Sequence, residues 1–87
     1  MKRIPRKQLL NFLKKNSQGP LLTITFYTFK KDRNINVVAH GNDYLVKEVG
    51  FNRQEFITHS NKEMLKLVNK LAKIEFYRSQ TLYVSLG

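Results

Sequence analysis

Residues 21–49 read LLTITFYTF (21–29), KKDRN (30–34), INVVAH (35–40), GND (41–43) and YLVKEV (44–49). Three runs rich in β-branched and aromatic residues are separated by two clusters of turn formers, which predicts a three-stranded antiparallel meander. In the first run Leu22, Ile24 and Phe26 share one face, while Thr23, Thr25 and Tyr27 share the other with Phe29. The second run repeats the pattern with Ile35, Val37 and Ala39. A sheet with one apolar face needs a cover, and the flanking segments carry it.

Toward the N-terminus, Pro5 suits a first helical position, because its missing N–H would have no partner there. Leu9, Leu10, Phe12 and Leu13 then fall on one face of a helix running to about Lys15, with Arg3, Arg6, Lys7, Lys14 and Lys15 largely on the other. Asn16-Ser17-Gln18-Gly19-Pro20 ends it. Toward the C-terminus, Gly50 ends the third strand or marks a bulge, and Glu55-Phe56-Ile57-Thr58 reads as a fourth short strand. Ser60-Asn61-Lys62-Glu63 is a capping box, and Met64, Leu67, Val68, Leu71 and Ile74 supply the buried stripe of the helix that follows. Leu82, Val84 and Leu86 alternate with Tyr83 and Ser85 in a last strand. The expected order is α-β-β-β-(β)-α-β: an α+β fold with an antiparallel sheet and two helices on one face. At 87 residues the chain buries roughly 60–65% of its unfolded surface, enough for one core. We therefore expect a single domain over 1–87, with residues 1–4 frayed.

Sixteen Lys and Arg stand against six Asp and Glu, a formal net charge of +10. The excess is no tail: it is interleaved with a globular pattern, and a domain that holds like charges together works against its own stability. A partner of opposite sign is the natural explanation. On the second helix Lys62, Lys66, Lys70 and Lys73 recur at steps of four, four and three, opposite the apolar stripe. They form either a phosphate-facing stripe or a merely solvated lysine face. The turn at Lys30, Lys31 and Arg33 and the N-terminal Lys2, Arg3, Arg6 and Lys7 could extend the same surface, or be an ordinary hairpin tip and a solvated terminus. Tyr27 and Phe29, on the sheet face away from the helices, are candidates for base stacking, although a dimer partner could equally cover that face.

Other chemistries are poorly supplied. Without cysteine there is no disulfide scaffold, no thiolate metal site and no cysteine nucleophile. His40 and His59 lack metal-ligand spacing, and His40-Gly41-Asn42-Asp43 lies where a turn needs Gly, Asn and Asp for its backbone. Glu48 and Glu55 would pair only by coincidence of folding. No phosphate-binding glycine loop and no RNP-type sequence occurs. We expect no enzymatic activity, no cofactor and no bound metal. The N-terminal charge followed by Gln8–Lys15 is too polar for a signal peptide, and no run reaches the ~18 apolar residues of a membrane span. A soluble, cytoplasmic protein without membrane contact is expected.

The order α-β-β-β-α, with basic groups on the first helix, in the first hairpin turn and at the start of the last helix, is similar to double-stranded RNA-binding domains. The similarity is one of order. The histidine-bearing loop of that family is absent from Phe29 to Ile35, its Lys-Lys-x-Ala-Lys helix start is here Lys62-Glu63-Met64-Leu65-Lys66, and the strand at Leu82–Leu86 is extra. The reading is a small basic protein that binds DNA or RNA through phosphate contacts with low sequence specificity. Its alternative is a non-enzymatic adaptor or inhibitor whose basic face docks on an acidic protein. Strandedness and oligomeric state, a dimer included, stay open.

Overall fold

Alternation along the strands places one apolar row after another on the same side of the sheet, and both helices lie on that side. The computed structural model describes residues 2–17, 21–28, 30 and 32–86, with Leu21 and Leu22 followed through their backbone alone. Strand β1 (Lys2–Pro5) leads through a 3-10 turn (Arg6–Gln8) into α1 (Leu9–Asn16). The strands β2 (Leu21–Tyr27), β3 (Asn34–His40), β4 (Asp43–Val49) and β5 (Arg53–Thr58) follow, then α2 (Asn61–Glu75) and β6 (Thr81–Leu86). All strand pairs are antiparallel, in the order β1-β6-β2-β3-β4-β5.

The register aligns the core across the sheet. Ile24 pairs with Val37 and Phe26 with Ile35 on one side of β2, and Phe26 pairs with Val84 on the other. These side chains are all but fully buried, together with Ile4, Val46 and Leu82. From the helices, Leu9, Leu13, Met64, Val68 and Leu71 close the same cluster, and the Phe12 ring meets Phe26 edge-on at 6.2 Å. The α+β class, the antiparallel sheet and the placement of both helices on one face follow from this arrangement. The opposite sheet face carries Thr25, Tyr27, Asn36, Lys47 and Ile57.

The N-terminus departs from the sequence reading. Lys2–Ile4, expected to fray, is an edge strand: Ile4 sits opposite Leu82 and is buried. Pro5 is the last residue of that strand and not the first of a helix. The backbone N–H of Arg6 donates to the Gln80 carbonyl at 2.9 Å, which holds the chain extended up to that point and delays α1. The fourth strand is real and longer than its apolar residues suggest, since Arg53 and Gln54 pair with Val49 and Glu48. The last strand lies between β1 and β2. The likeness to double-stranded RNA-binding domains therefore stops at α1-β2-β3-β4, because β5 intervenes before α2 and two further strands flank β2.

In α2 the helical phase is as expected at Met64, Val68 and Leu71, but Ile74 is 39% exposed and its place in the buried stripe goes to Ala72 and Glu75. The cap is half of the predicted box. Ser60 Oγ accepts from the Glu63 N–H at 3.1 Å, whereas Glu63 Oε2 reaches one residue further back, to the His59 N–H at 3.3 Å. At the other end of α1, Ser17 is buried because the Asn61 amide donates to its Oγ at 2.9 Å and the Tyr44 hydroxyl to its carbonyl at 3.3 Å.

Three substitutions test this phase by denaturation midpoints. Ser60→Ala is expected to lose about 1 kcal/mol with its cap, and Leu71→Ala about 2–5 kcal/mol with its cavity. Lys70→Ala, on the exposed face, is expected to leave stability nearly unchanged.

Candidate nucleic-acid interface

Lys62, Lys66, Lys70 and Lys73 are all exposed on α2, on the side away from Met64, Val68, Leu71 and Glu75. From Lys62 to Lys73 the stripe extends about 16 Å along the helix axis. At its C-terminal end it meets other cations. Lys73 shares a shallow cleft of ≈ 190 Å³ with Arg6 and Lys7. Arg6 and Lys7 also line a neighbouring cleft of ≈ 820 Å³, together with Tyr77 and Arg78. Arg78 in turn lines a third, of ≈ 320 Å³, with Lys30 and Arg33. The three clefts join into one basic band around the end of α2, with Arg6, Lys7 and Arg78 as the shared walls. The 3-10 turn, the β2–β3 turn and the segment between α2 and β6 each contribute to it.

The sequence reading groups Arg6, Lys7, Lys30, Lys31, Arg33, Lys62, Lys66, Lys70 and Lys73 as one surface. Of these the fold brings Arg6, Lys7, Lys30, Arg33 and Lys73 to one end of the molecule, and Lys70 stands one turn before Lys73 on α2. Lys62 and Lys66 lie at the opposite end of α2. Lys31 and Phe29 fall outside the described residues. Arg78, which the sequence reading places outside the surface together with Arg53, instead joins the band's two halves. Its sequence neighbours give no sign of this, since only the return of β6 beside β2 carries residue 78 to the β2–β3 turn. Arg53, at the start of β5, is exposed on the other side of the sheet. Tyr27 is half-buried on that same side, opposite Tyr83 and Asn34.

Arg33 is anchored. Its guanidinium donates to the Glu75 carbonyl at 3.4 Å and lies 3.8 Å from the centroid of the Phe51 ring. Phe51 is held at its own backbone, whose N–H donates to Glu75 Oε1 at 2.9 Å, and the Asn52 N–H donates to Oε2 at 3.3 Å. Tyr77 lies beside Phe51 with ring centroids 6.4 Å apart and planes tilted by 39°, and the Arg78 guanidinium stands 5.3 Å from the Tyr77 ring. Phe51 is 56% exposed and Tyr77 50%. Nothing in the hydrophobic pattern distinguishes these two from core aromatics such as Phe76, which is fully buried one residue before Tyr77. In the third cleft the Thr28 hydroxyl donates to Asp32 at 2.8 Å, and that bond is the main cause of a carboxyl held below its ordinary range.

Beneath the band lies a pair of buried carboxyls. Glu48 faces the core from β4, where its Oε1 accepts from the Gln54 amide at 3.3 Å. Burial, and then the Glu75 carboxyl beside it, push Glu48 up to about 7. The Glu48–Glu55 pair weighed from the sequence does not form, because Glu55 points to the other face and meets Lys47 at 3.9 Å. Gly50 allows the close approach here: a Cβ at that position would collide with the Glu75 carboxyl and lie 2.9 Å from Arg33 Cγ. Among the other titratable groups, His59 Nδ1 lies 3.1 Å from Asp43 Oδ1, both exposed, and His40 is exposed at the end of β3.

No protein-family model, curated protein or solved structure matches the chain. Among the described residues no helix is long and apolar enough to cross a membrane, and no group of three potential ligands is placed to hold a metal ion.

The buried pair makes stability depend on pH. Glu48 ionises near 4.5 when unfolded and near 7 when folded, so between these values the folded protein keeps a proton that the unfolded chain releases. Stability is expected to fall as pH rises through that window and to stay at the lower level above it. Glu48→Gln, neutral throughout, is expected to flatten the profile and to exceed the parent protein's stability at about pH 8. Urea midpoints across that range provide the check. Gly50→Ala is expected to lose on the order of 1–3 kcal/mol in the same measurement.

Proposed function

We propose that this protein binds nucleic acid in the cytoplasm through phosphate-backbone contacts, with low sequence specificity and without catalysing a reaction on it. The observation that carries this reading is the basic band at the end of α2. A polymer of phosphates meets such a band at several successive charges, which a small anion does not. Low specificity is supported by what the outer face of α2 presents. Lysine ammonium groups are point charges that favour phosphate, whereas base-edge readout relies on planar, bidentate groups such as Arg, Asn and Gln. Of the band's three guanidinium groups, which have the right chemistry, Arg33 is already engaged by Phe51 and the Glu75 carbonyl and Arg78 lies against the Tyr77 ring, which leaves Arg6.

The placement of the cations ranks their contributions. Arg6, Lys7, Lys73 and Arg78 converge from three elements, so a strand in the clefts is contacted from both walls. Lys62 and Lys66 would be reached only by a ligand that continues along the helix. Arg3 and Arg53 lie on the sheet face away from the helices, and they serve as controls for net charge.

Titration of labelled polynucleotides at several salt concentrations tests the reading. With about five phosphates neutralised, log K is expected to fall against log salt with a slope of roughly −4 to −5 on duplex DNA. The set Arg6→Gln, Lys7→Gln, Lys73→Gln and Arg78→Gln is expected to lower affinity across all sequences and to reduce the slope by about 1 for each phosphate left without its cation. Arg3→Gln with Arg53→Gln is expected to have a smaller effect. Equal weakening per charge removed in the two sets would reduce the interaction to net charge without a site. Absence of binding to any polynucleotide at low salt would turn the proposal toward an acidic protein surface as the band's partner.

A further inference from the structure

Four side chains at the edge of the basic band form a row, two aromatic rings between two guanidinium groups: Arg33 over Phe51, Phe51 beside Tyr77, and Tyr77 beneath Arg78. Taking nucleic-acid binding by the band as given, we propose that this ladder is a base-stacking platform, and that the ligand is therefore a single strand. Duplex bases are stacked on one another and present no faces at the surface, whereas a single strand offers every base to an aromatic or guanidinium plane.

Three observations support the assignment. First, both rings are at least half exposed although the buried core lies within one residue of Tyr77, at Phe76. Second, the rings adjoin the charges a nucleotide's phosphate would need: Tyr77 lines the ≈ 820 Å³ cleft with Arg6, Lys7 and Arg78, so a base on the ring leaves its phosphate among three cations. Third, one end of the ladder is anchored before any ligand arrives. The Phe51 backbone is bound to Glu75 Oε1 and Arg33 to the Glu75 carbonyl, so that end has less freedom to lose on binding. Arg–aromatic surfaces also serve as hot spots between proteins, but the density of positive charge around these rings favours a polyanion with planar groups. Of the sheet positions considered from the sequence, Phe29 lies outside the described residues and Tyr27 lines none of the three clefts. The end of α2 has both halves of the recognition.

The test compares a single-stranded oligo-dT and an oligo-U of about 12 nucleotides with a duplex of the same length. Fluorescence anisotropy is read for the parent protein and for the double variant Phe51→Ala/Tyr77→Ala. The parent is expected to favour the single strands by at least about tenfold, and the double variant to lose about 10–100-fold on them. Its duplex affinity and its salt slope are expected to stay nearly unchanged. Both rings lie at the surface, so the thermal midpoint should move little. Phe51→Leu/Tyr77→Leu, which keeps apolar bulk without the π-face, is expected to reproduce the loss, while Tyr77→Phe retains affinity. If the parent binds both probes and either double variant leaves single-strand affinity intact, the platform falls and phosphate binding stands. Equal loss on duplex and single strand would also overturn the platform. Failure of the parent to bind either probe at low salt would overturn both readings.

Discussion

A single carboxylate side chain, that of Glu75, ties together the end of the molecule that carries the basic band. Fully buried in the last turn of α2, it accepts the backbone N–H groups of Phe51 and Asn52, while the carbonyl of the same residue accepts from Arg33. A helix end, the β4–β5 turn and the β2–β3 turn thus meet at one residue. The approach of these elements is close enough to require Gly50, and it brings a second buried acid, Glu48, against the first. Burying two carboxyls is costly unless one keeps its proton, and the raised value of Glu48 is the form that cost takes. The positions of Phe51 and Arg33 in the ladder depend on this arrangement.

The same helix end explains how so many cations can gather there. The final carbonyls of a helix have no intrahelical partners and carry a partial negative charge. Lys73 lies in the last turn, Arg33 bonds one of those carbonyls directly, and Arg78 follows three residues beyond the helix. Mutual repulsion within the band is partly offset by the dipole and by the rings against which two of the guanidinium groups lie. Lys62, in the first turn, has no such compensation, and Glu63 and the Ser60 cap stand there instead.

Much of the architecture is legible in the sequence because it rests on period. The alternation of Ile24 with Thr25 and of Ile35 with Asn36, and the helical spacing of Met64, Val68 and Leu71, each correspond to a buried face. What is not legible depends on pairing between distant segments. Lys2-Arg3-Ile4-Pro5 has one apolar residue and no strand-like pattern; it is a strand because β6 gives it a partner. Arg78 looks remote from the Lys30–Arg33 turn because nothing local indicates that β6 lies next to β2. Exposure of Phe51 and Tyr77 is hidden for a related reason, since an aromatic residue after a glycine or a helix reads the same whether it turns inward or out. The burial of Glu75 escapes the sequence because helical phase identifies a face but does not say that an acid on it will find two backbone donors.

The pairing of β1 with β6 also bears on how the protein is made. During synthesis residues 2–5 emerge nearly eighty residues, by sequence number, ahead of the strand they pair with. The β2–β5 meander and α2 can assemble while translation proceeds, but Arg6 has no Gln80 carbonyl to bind until the chain has extended that far. The band's N-terminal wall, Arg6 and Lys7, is consequently set in place by a contact of very long sequence separation. On a nascent chain, ordering of the cleft would come after ordering of the meander.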